Sequence, residues 1–145
     1  MTKILLVEDS KFVRMGAQRA LLRAGYEVSV AEDGQQALEM AKAETPDLIL
    51  LDMLLPKISG PDVLKALKKD PVTEKIAVVA FSGLSQANAE RLQHDGASAF
   101  VEKSSIDLDH GFNALLGALA QILRQHDIEV PTAPARKTAK AGSRV

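Results

Sequence analysis

Short apolar runs alternate with amphipathic segments along the first 125 residues, and this alternation restricts the chain to very few folds. Lys3–Val7 (KILLV) is strand-like and meets a polar break at residues 8–11. Val13, Ala17, Leu21 and Ala24 then recur at helical spacing, with Gly25 where a helix stop is expected. Glu27–Ala31 (EVSVA) alternates as a strand does, Asp33-Gly34 opens a second helix carrying Ala37, Leu38 and Ala41, and Pro46 closes that unit. Asp47–Leu51 (DLILL) is an apolar strand, and Pro61 suits the first turn of a helix with Val63, Leu64 and Leu67 inward. Lys75–Phe81 reads as a fourth strand, residues 86–95 as a helix ending at Gly96, and Ser98–Val101 as a fifth strand. The last helix has the clearest pattern: Phe112, Leu115, Leu116, Leu119, Ile122 and Leu123 share one apolar face.

Five strand-then-helix units with apolar central strands imply an α/β fold, a doubly wound five-stranded parallel sheet with helices on both faces. Right-handed crossovers leave few topologies. The flavodoxin-like (β/α)5 order 2-1-3-4-5 fits five units and sets strand 1 beside strand 3. At 145 residues the chain is the size of one domain. The expected division is a domain over 1–126 and a disordered, basic, Pro/Ala-rich tail over 127–145. That tail holds Arg136, Lys137, Lys140 and Arg144 against Asp127 and Glu129. With a net charge of −1 overall, the body is left mildly acidic. An acidic body argues against nucleic acid as a partner. There are no cysteines, which excludes disulfides, thiolate metal sites and a cysteine nucleophile. No apolar run approaches the roughly 20 residues of a membrane span. No secretory signal opens the chain either, so a cytoplasmic location is expected.

The residue that looks out of place is Asp52, one charge inside LILLDMLLP. Ligands of such sheets bind beyond the carboxyl ends of the strands, near the point where strand order reverses. At those ends strand 1 delivers Glu8 and Asp9, strand 3 Asp52, strand 4 Ser82 and strand 5 Lys103. Taken singly, Asp9 or Ser10 is as readily a helix cap, Asp52 or Ser82 a turn residue and Lys103 a solvated lysine. Taken together, three acids at one crevice repel unless a cation sits among them. A hard divalent ion, Mg2+ or Mn2+, suits such oxygens.

The pattern resembles the receiver domain of two-component response regulators over roughly residues 3–125. The resemblance rests on the acidic pair in LLVEDS, on LDMLLPKISG with its Pro and Gly, on FSG ending strand 4, and on GASAFVEK ending strand 5. It implies that Asp52 is a phosphoacceptor taking a phosphoryl group from a sensor histidine kinase or phosphotransfer protein. By the same resemblance Glu8, Asp9, Asp52 and the backbone carbonyl of Leu54 would hold the metal, while Lys103 and Ser82 would contact phosphoryl oxygens. Ser82 and Phe100 would form the switch that reshapes the face built from the fourth helix, fifth strand and fifth helix, for a downstream protein target or a phosphorylation-linked homodimer. Such a chain is a stand-alone signalling protein and not a turnover enzyme, although it would support its own Mg-dependent transfer and slow autodephosphorylation.

Two departures from the family pattern stand out. Ser104 follows Lys103 where the family usually has a cis proline, and a cis bond before a non-proline residue costs about 2.5–4 kcal/mol. Leu54 and Leu84 are apolar where polar residues often occur, and they are expected to screen the attacking water and slow phosphoryl loss. The main alternative is a receiver-like scaffold that works without phosphorylation. A haloacid-type phosphatase would want an aspartate where Leu54 stands, and a flavin site would not want the acids of EDSKF against a phosphate. His94, His110 and His126 read as surface residues.

Overall fold

The computed structural model describes residues 2–53, 55–82, 89–102, 113–126, 128, 130 and 131, with Ser82, Ala89, Glu90, Leu92, Glu102, Asn113 and Ala114 described as backbone alone. The elements run β1 (Lys3–Val7), α1 (Lys11–Arg23), β2 (Glu27–Ala31), α2 (Gly34–Glu44), β3 (Leu48–Asp52), α3 (Gly60–Lys69), β4 (Ala77–Ser82), α4 (Ala89–His94), β5 (Ala99–Glu102) and α5 (Asn113–Gln125). All strand pairs are parallel, in the expected order β2-β1-β3-β4-β5. β3 to β5 each begin one or two residues later than the apolar runs suggest, because pairing rather than hydropathy sets their start. Among the described residues no helix is long and apolar enough to cross a membrane.

The strand sequences follow from their surroundings. β3 lies in the middle of the sheet, and all five of its residues are buried, so both of its faces must be apolar. Alternate residues feed two separate cores. Ile4, Leu6, Leu48, Leu50, Val79 and Phe81 face α1 and α5, meeting Ala17, Leu21, Leu115, Leu119, Ile122 and Leu123. Leu5, Val7, Ile49, Leu51, Val78 and Ala80 face α2 and α3, meeting Ala37, Ala41, Val63, Leu64 and Leu67. Each fully buried Leu or Ile contributes about 1.5–3 kcal/mol by leaving water. Ile128 and Val130 also pack on the first core, and the Ile128 N–H donates to the Leu123 carbonyl at 2.8 Å.

Helix starts are capped as their sequences suggest. Ser10 caps α1, accepting from the Val13 N–H. Asp33 caps α2, accepting from the Gln36 N–H at 2.8 Å. Ser59 caps α3, and Pro61 sits in its first turn. After α3, Lys68 reaches forward to donate to the carbonyls of Glu74 (3.1 Å) and Ile76 (2.7 Å), tying the helix end to the approach of β4. Burial pulls its ammonium pKa below the ordinary value.

Three carboxylates serve as local anchors and are acidified by it. The Gln36 N–H holds Asp33 below its ordinary value of 3.8, the Val72 N–H does the same for Asp70, and the Ser29 hydroxyl holds Glu44 below 4.5. A carboxyl that binds its proton less tightly when folded stabilises the fold fully above its unfolded pKa and loses that contribution as pH falls toward the lower folded value. The expected result is a denaturant midpoint that declines between about pH 5 and pH 3. A doubly substituted Asp33→Asn, Asp70→Asn chain should show a flatter profile in urea titrations across that range. An unchanged slope would count against these anchors.

Candidate functional site

Parallel pairing of β1 with β3 places Val7 opposite Leu51, so the next residues of each chain segment, Glu8 with Asp9 and Asp52, emerge side by side. One carboxylate oxygen from each of Glu8, Asp9 and Asp52 lies within 4.8 Å of the others. Glu8 is 0% and Asp52 1% exposed, while Asp9 is open to solvent. The apolar setting of Asp52 is therefore the strand that delivers it, and the charge sits at the last position of β3.

The loop after β1 is fixed by its own backbone. The Glu8 N–H donates to the Ala31 carbonyl at 3.1 Å, extending the β1–β2 ladder by one rung. The Ser10 N–H donates to Glu8 Oε2 at 3.0 Å, which orients that carboxylate. Because Ser10 is the residue that caps α1, the Asp9 carboxylate is left for the crevice. Arg14 folds back from the first turns of α1, and its Nη1 donates to the carbonyls of Glu8 (3.1 Å) and Asp9 (3.3 Å). Its Nη2 lies 3.7 Å from Glu32 Oε1 in the loop before α2.

The segment after Asp52 is clamped from two sides. Met53 is buried, and its carbonyl accepts from the Gly60 N–H at 3.2 Å. A Cβ on Gly60 would lie 2.3 Å from Met53 Cα and 2.5 Å from the Asp52 carbonyl oxygen, so α3 starts there because glycine lets it approach the end of β3. On the other side a Cβ on Gly34 would lie 2.3 Å from the Ile58 carbonyl oxygen. Between them Lys57 has φ 68, and the turn around it is closed by the Ile58 N–H donating to Pro56 at 2.8 Å. A lysine in that region of the backbone is strained. Its Nζ lies 3.5 Å from Asp33 Oδ2, so the strained turn is tethered to the residue that caps α2.

Of the other expected site residues, Ser82 closes β4 with its backbone opposite Glu102. Phe100 is a partly buried β5 residue beside Ala80 that packs on the α2–α3 core. Leu54, Leu84, Lys103 and Ser104 lie outside the described residues. The sequence reading missed Arg14 and Lys57, and took Asp33 only as the opening of the second helix. Arg14 and Lys57 gave no signal, since arginine in an early helical turn and lysine after proline are both commonplace.

The three acids form a set of hard oxygen donors of the kind that holds Mg2+ or Mn2+, and two of them are buried at the paired ends of central strands. The residues present thus fit a divalent ion. The family model of the response regulator receiver domain matches residues 4–116, a span that takes in all three acids. The chain belongs to the response regulator receiver family. This receiver is 35% identical over 105 residues to the polar-differentiation response regulator DivK of Brucella ovis, spanning 71% of this chain and 85% of that protein. It superposes on the chemotaxis protein CheY4 of Vibrio cholerae with a TM-score of 0.76 at 27% identity, covering 85% of this chain and 99% of that one. A CheY-like receiver domain protein of Methanospirillum hungatei shares the fold, with a TM-score of 0.78 at 23% identity over 88% of this chain and 97% of that one. The receiver family places the chain in two-component signalling, whose receivers take their input from kinase or phosphotransfer partners.

Proposed function

We propose that this receiver accepts a phosphoryl group on Asp52. The observation that carries the reading is the meeting of Glu8, Asp9 and Asp52 oxygens within 4.8 Å at the ends of β1 and β3. One Asp52 carboxylate oxygen attacks phosphorus of a phosphohistidine on the donor protein. The phosphorus–nitrogen bond breaks, its electron pair stays on the imidazole, and that nitrogen takes up a proton. Such a transfer needs little from the protein beyond placement and neutralisation of the equatorial oxygens. A divalent ion held by Glu8, Asp9 and Asp52, with the Leu54 carbonyl, would supply positive charge to the phosphoryl oxygens. Lys103 and the Ser82 hydroxyl complete the set of contacts. Attack of water on the acyl phosphate returns the carboxylate and releases inorganic phosphate, with Leu54 and Leu84 slowing that step.

Ser82 and Phe100 then act as the switch, shifting the population of two arrangements of the α4–β5–α5 face for a protein target or a second copy. The chain works in the cytoplasm, through protein contacts and not on nucleic acid. Incubation with Mg2+ and a small phosphodonor such as acetyl phosphate, followed by intact-mass measurement, tests the reading. The expected gain is one phosphoryl group, absent without metal and absent in Asp52→Ala. No gain in the parent chain, or a gain that survives Asp52→Ala, would instead support a scaffold that works without phosphorylation.

A further inference from the structure

We infer that Arg14 is the positioning residue of the acidic site: its guanidinium fixes the two peptide units that carry Glu8 and Asp9, and through them sets metal affinity. The inference rests on the metal-binding reading given above. Two bonds from one nitrogen, at 3.1 and 3.3 Å, hold the Glu8 and Asp9 carbonyls. The Arg14 N–H donates to the next carbonyl, that of Ser10, at 2.8 Å. Three consecutive carbonyls of the β1–α1 loop are thus taken up by one residue of α1, and the carboxylates of Glu8 and Asp9 are what the loop presents to the crevice. The side chain is only 14% exposed, so it is held in place by its surroundings and is not a solvated arginine sampling many rotamers. Its second nitrogen faces Glu32 at 3.7 Å, in the loop that leads into α2. Arg14 therefore joins α1, the acidic loop and the β2–α2 loop at one point.

A guanidinium beside an acidic metal site exerts two opposed influences. Its charge competes with a divalent cation, so removing it would tighten binding. Its Nη1 bonds order the loop, so removing them would let the acids spread under their mutual repulsion and weaken binding. The sign of the effect on affinity separates the two. Residues that orient metal ligands from behind typically alter affinity 10–100-fold when replaced, and a flexible lysine stem lacks the rigid planar group that holds one nitrogen between the two carbonyls.

The test is Mg2+ titration of the full chain by calorimetry, with urea denaturation in metal-free buffer alongside. Arg14→Gln is expected to bind Mg2+ about 10–100-fold more weakly. Arg14→Lys, which keeps the charge but carries its donors on a flexible stem that is not pre-organised over the two carbonyls, is expected to fall between Gln and the parent. Glu32→Gln leaves both carbonyl bonds intact and is expected to bind Mg2+ as the parent does. A Gln variant that binds as tightly as the parent, or more tightly, overturns the inference. So does a loss of metal-free stability with affinity unchanged, which is the mark of a merely structural arginine. Should Arg14→Gln fail to fold, Arg14→Lys carries the test, and parent-like affinity there overturns the proposal. Absence of Mg2+ binding by the unaltered chain overturns the metal reading itself, and the inference with it.

Discussion

In metal-free buffer an Asp52→Asn chain is expected to resist urea better than the parent, and saturating Mg2+ is expected to reverse the ranking. Asp52 and Glu8 are both buried, and with Asp9 they bring three carboxylate oxygens within 4.8 Å of one another. Like charges so close are unfavourable at the effective dielectric of a protein, and asparagine keeps the shape of the side chain while dropping one charge. A net gain of about 1–2 kcal/mol is expected, well below the bare Coulomb repulsion. The parent, given Mg2+ at a hundred times its dissociation constant, should gain about 2.7 kcal/mol. For a domain of this size that corresponds to a rise in Tm of roughly 5–10 °C. The variant lacks one ligand and should gain far less at the same concentration. Urea curves of both chains with EDTA and with Mg2+ decide the matter. Equal stabilisation of both by Mg2+, or a variant weaker than the parent without metal, would show that the three acids do not act as one cation site.

Gly60→Ala is expected to be severely damaging for the addition of a single methyl group. Its Cβ would meet Met53 Cα at 2.3 Å, the Asp52 carbonyl oxygen at 2.5 Å and the Met53 carbonyl carbon at 2.9 Å, all backbone atoms that no rotamer change can clear. Gly60 has an ordinary negative φ, so the penalty comes from contact and not from backbone conformation. Overpacking a tight interior costs about 1–3 kcal/mol, and here α3 must also move off the strand that carries Asp52. The expected loss is therefore at or above the upper end, read as a lower urea midpoint with unchanged m-value. Gly117→Ala serves as the control, since a Cβ there has nothing within 4 Å. Equal effects at the two positions would mean that α3 is not seated as described.

Much of this arrangement was legible in the sequence because one cause dominates each part of it. A strand buried on both faces has to be apolar throughout, so LILLD announced a central strand and made its terminal acid conspicuous. The topology followed from counting units, and the meeting of Glu8, Asp9 and Asp52 followed from the topology. Ser10 against Asp9 as the cap of α1 could not be decided from composition, because both side chains accept equally well. It is settled by the Val13 N–H, which donates to the Ser10 hydroxyl and leaves Asp9 for the crevice. Arg14 was illegible for a different reason: it bonds to backbone carbonyls, which every residue offers and no pattern marks. Lys57 was hidden likewise, since its positive φ is imposed by the clamp between Gly34 and Gly60 and not by a residue that favours it. The sequence displays chemistry carried by side-chain type far better than chemistry carried by main-chain position.

The adjacency of β1 and β3 also dates the site within the life of each molecule. Ile4 has to find Leu48, and Val7 has to find Leu51, across α1, β2 and α2. Closing so long a loop is among the slower events available to a folding chain. Until then Glu8 and Asp9 lie far along the chain from Asp52 and scarcely feel it. Their repulsion arises only when that closure is made, so the three acids weigh on the folding of the chain as well as on its finished site.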